Sequence, residues 1–389
     1  MVQSNLVPAP VRDRSKPLPD NDSVAKFRKT APDPMNFANF AEKVNVFRAA
    51  FGLLGSAGGR GRPARAGAAP GWQPKLTLPA PGPIAAAHLK EPRVTDQRSF
   101  DDRDGFIWLD GALVPWREAN VHVLTHALHY ASSVFEGQRA YSGEVFRLSD
   151  HSRRLKRSGE LLGFEIPWSV EEIDQACRDT LAANTLEDAY MRPLAWRGSE
   201  QMGVSAQKSK IHLSIAAWPW PAYFGEEAIA KGLRLAISKW RRPAPYTAPT
   251  ESKASGLYMI CTLARHQAQA DGYDDALMFD WRGQVAEATG ANAFFVKDGA
   301  LHTPTPDCFL DGITRRTVMD LARRRGIEVI ERTIWPEELE GFEQFFLTGS
   351  AAEVTPVASA GPWNFEVGEL TLQLRKDYLD LANRRISNS

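Results

Sequence analysis

The segment Thr250-Glu251-Ser252-Lys253-Ala254-Ser255-Gly256-Leu257-Tyr258 sets one lysine between a proline-rich run, 241–249, and an apolar stretch that begins a helix at Leu257. A lysine amine is nucleophilic and gives up its proton readily when buried, which suits covalent capture of an aldehyde. Ala254, Ser255 and Gly256 are small enough to let backbone approach a flat group closely. Tyr258, five residues on, can hydrogen-bond a phenolic oxygen. Three further pieces follow in order: Glu287 within 285–292, the turn Gly312-Ile313-Thr314, and the turn Thr348-Gly349-Ser350-Ala351-Ala352.

Together these parts fit a pocket that holds pyridoxal phosphate on Lys253 as a Schiff base. A carboxylate such as Glu287 beside the pyridine nitrogen keeps it protonated, so the ring accepts the electron pair left at Cα when a proton departs. Gly312-Ile313-Thr314 precedes a helix, so free N–H groups and the Thr314 hydroxyl can face a phosphate. The turn containing Ser350 offers a second hydroxyl and more amides, and Arg154 can supply the matching charge. Taken one at a time, the same residues read equally well as a solvated lysine, a glutamate in a surface pair, a helix cap and a surface arginine. The order and number of the pieces carry the reading.

The rest of the chain narrows the class. Its 389 residues are too many for one small core. Lys+Arg and Asp+Glu both number 47, so no net charge draws it to nucleic acid. No run approaches the ~20 apolar residues that span a bilayer, and no secretory signal is visible. Cys177, Cys261 and Cys308 lie far apart, a pattern of a reduced, cytoplasmic protein rather than of a disulfide framework. His122, His126 and His129 fall four and three apart, but no carboxylate or cysteine cluster accompanies them. Packing and hydrogen bonding are the better reading, and no metal is expected.

Four regions are expected. Residues 1–100 are rich in Pro, Gly, Ala and Arg and read as largely disordered. Within them Phe37, Phe40, Val44, Phe47, Phe51 and Leu54 recur at helical spacing and predict a short amphipathic helix. Residues 101–224 form a small α+β domain. Asp110-Gly111 signals a hairpin between 106–109 and 112–116, one helix follows Ser149, and another opens at Ser169 with Glu172 as its capping-box pair. Ile211, Leu213 and Ile215 alternate along a strand. Residues 225–231 make the joint, and 232–389 a large α/β domain. Its expected strands are 233–240, 276–280, 284–286, 293–296, 328–331 and 344–347, with a turn at Asp298-Gly299 and a helix following Thr314.

From about 101 to 380 the sequence resembles the branched-chain amino acid aminotransferases of the fold type IV pyridoxal-phosphate family. The likeness rests on blocks in the family's order: 122–130, Val134-Phe-Glu-Gly-Gln-Arg-Ala-Tyr141, Ala189-Tyr-Met-Arg-Pro-Leu194, Lys253-Ala-Ser-Gly-Leu-Tyr258, Gly312-Ile-Thr-Arg315 and 347–356. It implies an α/β protein of that fold and a homodimer whose pocket borrows a loop from the partner. Lys253 becomes the Schiff-base lysine and proton shuttle, Glu287 the partner of the pyridine nitrogen, and Tyr258 the contact of the phenolic oxygen. Arg154, Ile313, Thr314 and Ser350 hold the phosphate. The backbone of Ser350, Ala351 and Ala352 binds the substrate α-carboxylate. Tyr130, Phe135, Trp220 and Tyr223 wall the side-chain pocket, and Arg192 receives the distal carboxylate of glutamate. The implied substrates are branched-chain amino acids and 2-oxo acids.

The chain departs from the family pattern in three places. Ser255 stands where glycine is frequent, Ser350 where threonine is frequent, and Ala291 where a second acid often stands. A D-amino acid transaminase, an aminodeoxychorismate lyase and a non-catalytic binding paralogue remain as alternatives on the same fold. The extension has no counterpart in the family, which suggests a native start near Val94.

Overall fold

The hairpin at Asp110-Gly111 founds the first sheet. The computed structural model describes residues 98–220 and 225–386, so the stretch 1–97, its apolar stripe and Tyr223 lie outside the described residues. Asp110 and Gly111 both take positive φ, 51° and 107°, as a two-residue turn between twisted strands requires. They join β1 (Phe106–Leu109) to β2 (Ala112–Pro115). Next come α1 (His126–Tyr130), β3 (Ser133–Phe135), β4 (Gln138–Tyr141), β5 (Glu144–Val145), α2 (Leu148–Leu161) and α3 (Val170–Ala183). Strands β6 (Ala189–Arg197) and β7 (Ile211–Pro219) complete this half.

Among the described residues these strands form a seven-stranded sheet in the order β2-β1-β7-β6-β4-β5, with β3 paired to β6. Ser169 and Glu172 close a reciprocal capping box at the start of α3. Leu213, Ile215 and Ala217 point inward at alternate positions of β7. Leu155 of α2 and Ile173, Cys177 and Leu181 of α3 pack on them in one apolar core.

The second sheet begins after α4 (Glu226–Lys231), with β8 (Leu233–Ile237). Helix α5 (Met259–Ala270) leads to β9 (Asp275–Phe279), β10 (Val285–Ala288), β11 (Asn292–Lys297) and β12 (Ala300–Pro304). Then follow α6 (Ile313–Arg324), β13 (Val329–Arg332), β14 (Gln344–Gly349), β15 (Glu353–Ala360), β16 (Trp363–Asn364) and α7 (Glu369–Ala382). The sheet runs β10-β9-β8-β15-β14-β11-β12-β13 and is mixed, with β8 parallel to both β9 and β15. Phe295, Phe345 and Leu347 pack on one face, while Phe294 and Phe346 meet Val318 of α6 and Leu374 and Tyr378 of α7 on the other.

Several boundaries differ from the sequence reading. β8 stops at Ile237 rather than 240, because Ser238 Oγ accepts the Trp240 N–H and turns the chain. Strands β3, β4, β5, β6, β12, β15 and β16 and helix α7 were not expected. β6 and β15 carry Pro193 and Pro356, and a proline cannot donate to a ladder, so such runs read as loop. Both strands, nine and eight residues long, nonetheless have paired neighbours on both sides, β7 opposite β4 and β3 for β6, and β14 opposite β8 for β15.

Candidate active site

Lys253 lies on the loop between β8 and α5, where the two sheets approach. Its backbone is pinned from the first sheet's side. The Phe135 N–H donates to Lys253 O at 3.1 Å, the Lys253 N–H donates to Ser158 Oγ at 3.0 Å, and Ala254 bridges to Val134. The side chain then reaches Tyr258, with Nζ 2.8 Å from Oη. Burial, helped by the Arg154 cation, lowers the amine to about 8, so a usable fraction is neutral near neutral pH. Burial pushes the Tyr258 hydroxyl up, which keeps it protonated.

Glu287 stands on β10 with 8% of its surface exposed. Burial raises its carboxyl to about 7, against the pull of Arg242 and Lys253. Arg242 Nε lies 3.4 Å from Oε1, and Asn292 Nδ2 donates to Oε2 at 3.1 Å. An N–H cation docked against this carboxylate would draw it back to the charged form.

The anion-binding parts come from two helices and a turn. Arg154 of α2 donates from Nε and Nη2 to the two oxygens of Glu136, at 2.7 and 2.8 Å. Its Nη1 is buried with no partner among the described residues. Ile313 and Thr314 form the first turn of α6, whose N-cap, Gly312, supplies no side-chain cap, so among the described residues no capping side chain takes the first N–H groups. A Cβ at 312 would meet Asn292 Oδ1 at 2.2 Å and push aside the amide that bonds Glu287 and the Leu310 carbonyl. Thr348 Oγ1 is likewise buried without a partner among the described residues.

Arg154, Lys253, Tyr258, Glu287, Ile313, Thr314 and Ser350 all line one inner cavity of about 80 Å³. Orphaned donors gather with a nucleophilic amine and a buried carboxylate around one small space. That donor set fits a phosphorylated, aldehyde-bearing pyridine: donors for its phosphate, an amine for its aldehyde and an acid for its ring nitrogen.

Sharing Lys253, Tyr258 and Ala351 with the inner cavity is an outer one of about 600 Å³, lined also by Phe135, Tyr190, Arg192, Trp218 and Trp220. The Phe135 ring packs edge-on against Tyr258 at 4.7 Å. The Arg192 guanidinium lies over Phe135 at 4.7 Å and donates to Tyr190 Oη at 3.2 Å. Ala352 also lines this space, whereas Ser350 lines only the inner one. Tyr130 stands apart: it is 46% exposed on α1, stacked on His126 at 4.6 Å, and outside both linings.

Sequence reasoning passed over Tyr190 and Trp218 as pocket residues. Each is two positions before a residue it did assign, Arg192 and Trp220, so strand alternation puts each pair on one face. Reading 189–197 as a strand would have found Tyr190. His126 is buried with its ring between Ser132 Oγ and Gly203 O, and His129 bonds Val123 O.

A family model described as amino-transferase class IV matches residues 133–360. That span runs from β3 to the end of β15 and so takes in both cavities. The branched-chain-amino-acid aminotransferase of Pseudomonas aeruginosa is 42% identical over 292 residues, covering 73% of this chain and 95% of that protein. Among solved structures, the branched-chain amino acid aminotransferase of Escherichia coli matches with a TM-score of 0.71 at 38% identity, over 74% of this chain and 97% of its own. The branched-chain amino acid aminotransferase of Thermobaculum terrenum, solved in its pyridoxal-phosphate holo-form, matches with a TM-score of 0.68 at 33% identity, over 73% of this chain and 95% of its own.

Proposed function

This chain belongs to the class IV aminotransferases, and from that premise we propose a branched-chain amino acid aminotransferase. It moves an amino group reversibly between L-leucine, L-isoleucine or L-valine and 2-oxoglutarate, using pyridoxal 5'-phosphate. The observation that carries this reading is the company of Lys253: an amine lowered to about 8, 2.8 Å from a tyrosine hydroxyl, in one cavity with Glu287 and the unpartnered edge of Arg154.

When bound, pyridoxal phosphate supplies an aldehyde and a ring that accepts the electron pair left at Cα. The protein supplies the rest. Lys253 would hold that aldehyde through Nζ, whose lowered basicity leaves part of it neutral and nucleophilic, and the same amine, once displaced by substrate, would be placed to accept and return the Cα proton. Glu287 would keep a proton on the cofactor's ring nitrogen. Arg154 Nη1, the first turn of α6 and the Ser350 hydroxyl would hold its phosphate. The backbone N–H groups of 350–352 take the α-carboxylate. Phe135, Tyr190, Trp218 and Trp220 present apolar faces to a branched side chain, while Arg192 at the same wall pairs the distal carboxylate of glutamate.

A homodimer completes the site in this reading. Val121, Val123, Leu124, Leu128 and Tyr130 form an exposed apolar stretch on and before α1, which suits a loop lent to a second copy. The two domains are taken as 101–224 and 232–389, joined by 225–231, because each side holds its own sheet and core. The compartment is taken as the cytoplasm, since all three cysteines are free and buried. Among the described residues no helix is long and apolar enough to cross a membrane.

The test has two parts. Borohydride reduction of the holoenzyme followed by peptide mapping is expected to mark Lys253; a mark elsewhere, or none, overturns the assignment. Single-turnover spectroscopy with L-leucine, L-glutamate and D-alanine is expected to show reaction with the first two only. A preference for D-alanine would move the enzyme to the D-amino acid branch of the fold.

A further inference from the structure

Arg154 does not stand alone. Behind it lie Glu136, 0% exposed, and His151, 2% exposed. Neither lines the inner or the outer cavity, so neither can touch a ligand there. Glu136 accepts from Arg154 Nε at 2.7 Å and Nη2 at 2.8 Å, which engages one whole edge of the guanidinium. Glu136 Oε2 also lies 2.7 Å from His151 Nδ1. His151 and Arg154 are three residues apart on α2, so one helical turn delivers both to the same carboxylate. Despite its burial, Glu136 stays ionised, because Arg154 and His151 hold it far below the ordinary carboxylate range. Burial lowers the His151 imidazole, so its neutral form donates one N–H to Glu136.

A guanidinium has five N–H donors in a fixed planar fork. Locking the Nε–Nη2 edge leaves Nη1 as the unpartnered end of a side chain that lines the inner cavity. A buried N–H donor without a partner is costly, and here that cost is retained on a residue lining a cavity where an anion would repay it. The carboxylate also cancels much of the arginine's charge. What remains is therefore aim rather than field strength.

Resting on the cofactor reading above, we propose that Glu136 and His151 are positioning residues that orient Arg154 toward the 5'-phosphate, and so set the preference for the phosphorylated over the unphosphorylated aldehyde. Glutamine at 136 would place an amide N–H against Arg154 or His151, both donors, and the fork would turn. Electrostatics alone pushes the other way. Removing the Glu136 charge leaves Arg154 uncompensated and would tighten binding of a dianion. The sign of the change therefore decides between aim and charge.

The experiment titrates cofactor-free wild type, Glu136→Gln and Arg154→Gln with pyridoxal 5'-phosphate and, separately, pyridoxal, following tryptophan fluorescence. Glu136→Gln is expected to weaken pyridoxal 5'-phosphate about tenfold or more, within the range that loss of an outer hydrogen-bonding partner costs a bound group. Its pyridoxal affinity should be unchanged. In the Arg154→Gln background, Glu136→Gln should have no further effect. His151→Gln should show a smaller loss of the same selective kind. If Glu136→Gln does not fold, Glu136→Asp, which withdraws the oxygens by one methylene and keeps the charge, is expected to show the same selective loss. Equal weakening of both aldehydes, or tighter binding of the phosphorylated one, overturns this proposal alone. A wild type that binds neither aldehyde overturns the cofactor reading and this proposal with it.

Discussion

The two cavities of the cleft are made from different materials. The inner one, about 80 Å³, gathers Lys253, Glu287, Arg154 and the start of α6, and each of its charged groups has a buried partner behind it: Ser158 for the lysine backbone, Asn292 for Glu287, Glu136 for Arg154. The outer one, about 600 Å³, is walled by aromatic rings that lean on one another, with Arg192 lying over two of them. Hydrogen bonds fix an atom to a few tenths of an ångström, whereas stacked rings tolerate sliding. The inner cavity is thus suited to chemistry common to every substrate, and the outer one to telling substrates apart. Changes inside should cost all substrates alike, and changes outside should cost them unequally.

Lys253→Ala is the severest test. It removes the amine proposed to capture the aldehyde and shuttle the proton, so turnover should fall on the order of 10⁴-fold or more. The half-reactions with L-leucine and L-glutamate should fall together. Residual turnover that differs between the two would break the division between the cavities.

Glu287→Gln should come next, with a loss on the order of 10²-fold that is again equal for both amino acids. The same variant has a stability signature in the cofactor-free protein. Burial raises the folded carboxyl to about 7 from its ordinary 4.5, so between those values the folded state holds a proton that the unfolded chain has released. The contribution of Glu287 to stability therefore falls as pH rises through that window, by about 3 kcal/mol in all. Thermal melts of wild type and variant should nearly coincide at pH 4.5 and separate by pH 7.5, with the variant melting higher. A constant gap across this range would show that Glu287 is already ionised in the empty cleft.

Arg192→Leu probes the outer wall. L-glutamate should lose about 10- to 100-fold in kcat/KM, the worth of a hydrogen-bonded charge partner, while L-leucine should change less than threefold. Equal losses would place Arg192 with the inner group, through its hydrogen bond to Tyr190, which lines both cavities.

The contrast also governs what could be read from the sequence. The inner parts sit on short local signals: a lysine followed by small residues, a glycine-led helix start, a Thr-Gly-Ser turn. Such signals survive in a one-dimensional reading because the turn chemistry and the function share the same residues. The outer wall depends on strand alternation in β6 and on its pairing with β7, and Pro193 concealed that strand. Pro356 concealed β15 in the same way, although that strand aligns the turn carrying Ser350. Helix α7 was legible in principle, since Leu374, Tyr378 and Leu381 fall on one helical stripe and are buried together. Glu136 was quoted only as part of a motif. A buried glutamate that touches no ligand leaves no local pattern, and its role emerges only when α2 brings His151 and Arg154 beside it.

The smallest expected effect lies at the border between the cavities. Ser255 lines the outer cavity two residues after the lysine and accepts a hydrogen bond from Ser133 Oγ at 2.8 Å. Ser255→Gly would free the Ser133 hydroxyl and loosen the backbone, at a cost of about 1 kcal/mol in stability. Turnover should change less than threefold with either amino acid, because the Phe135 N–H and Ser158 Oγ still clamp Lys253 on both sides. Thermal denaturation and the two half-reactions, measured on one preparation, separate these effects. A tenfold loss of turnover with unchanged melting would mean that the serine pair, and not the clamp, sets the height of the lysine in the cleft. The line between rigid chemistry and adaptable specificity would then have to be drawn through Ser255 rather than beyond it.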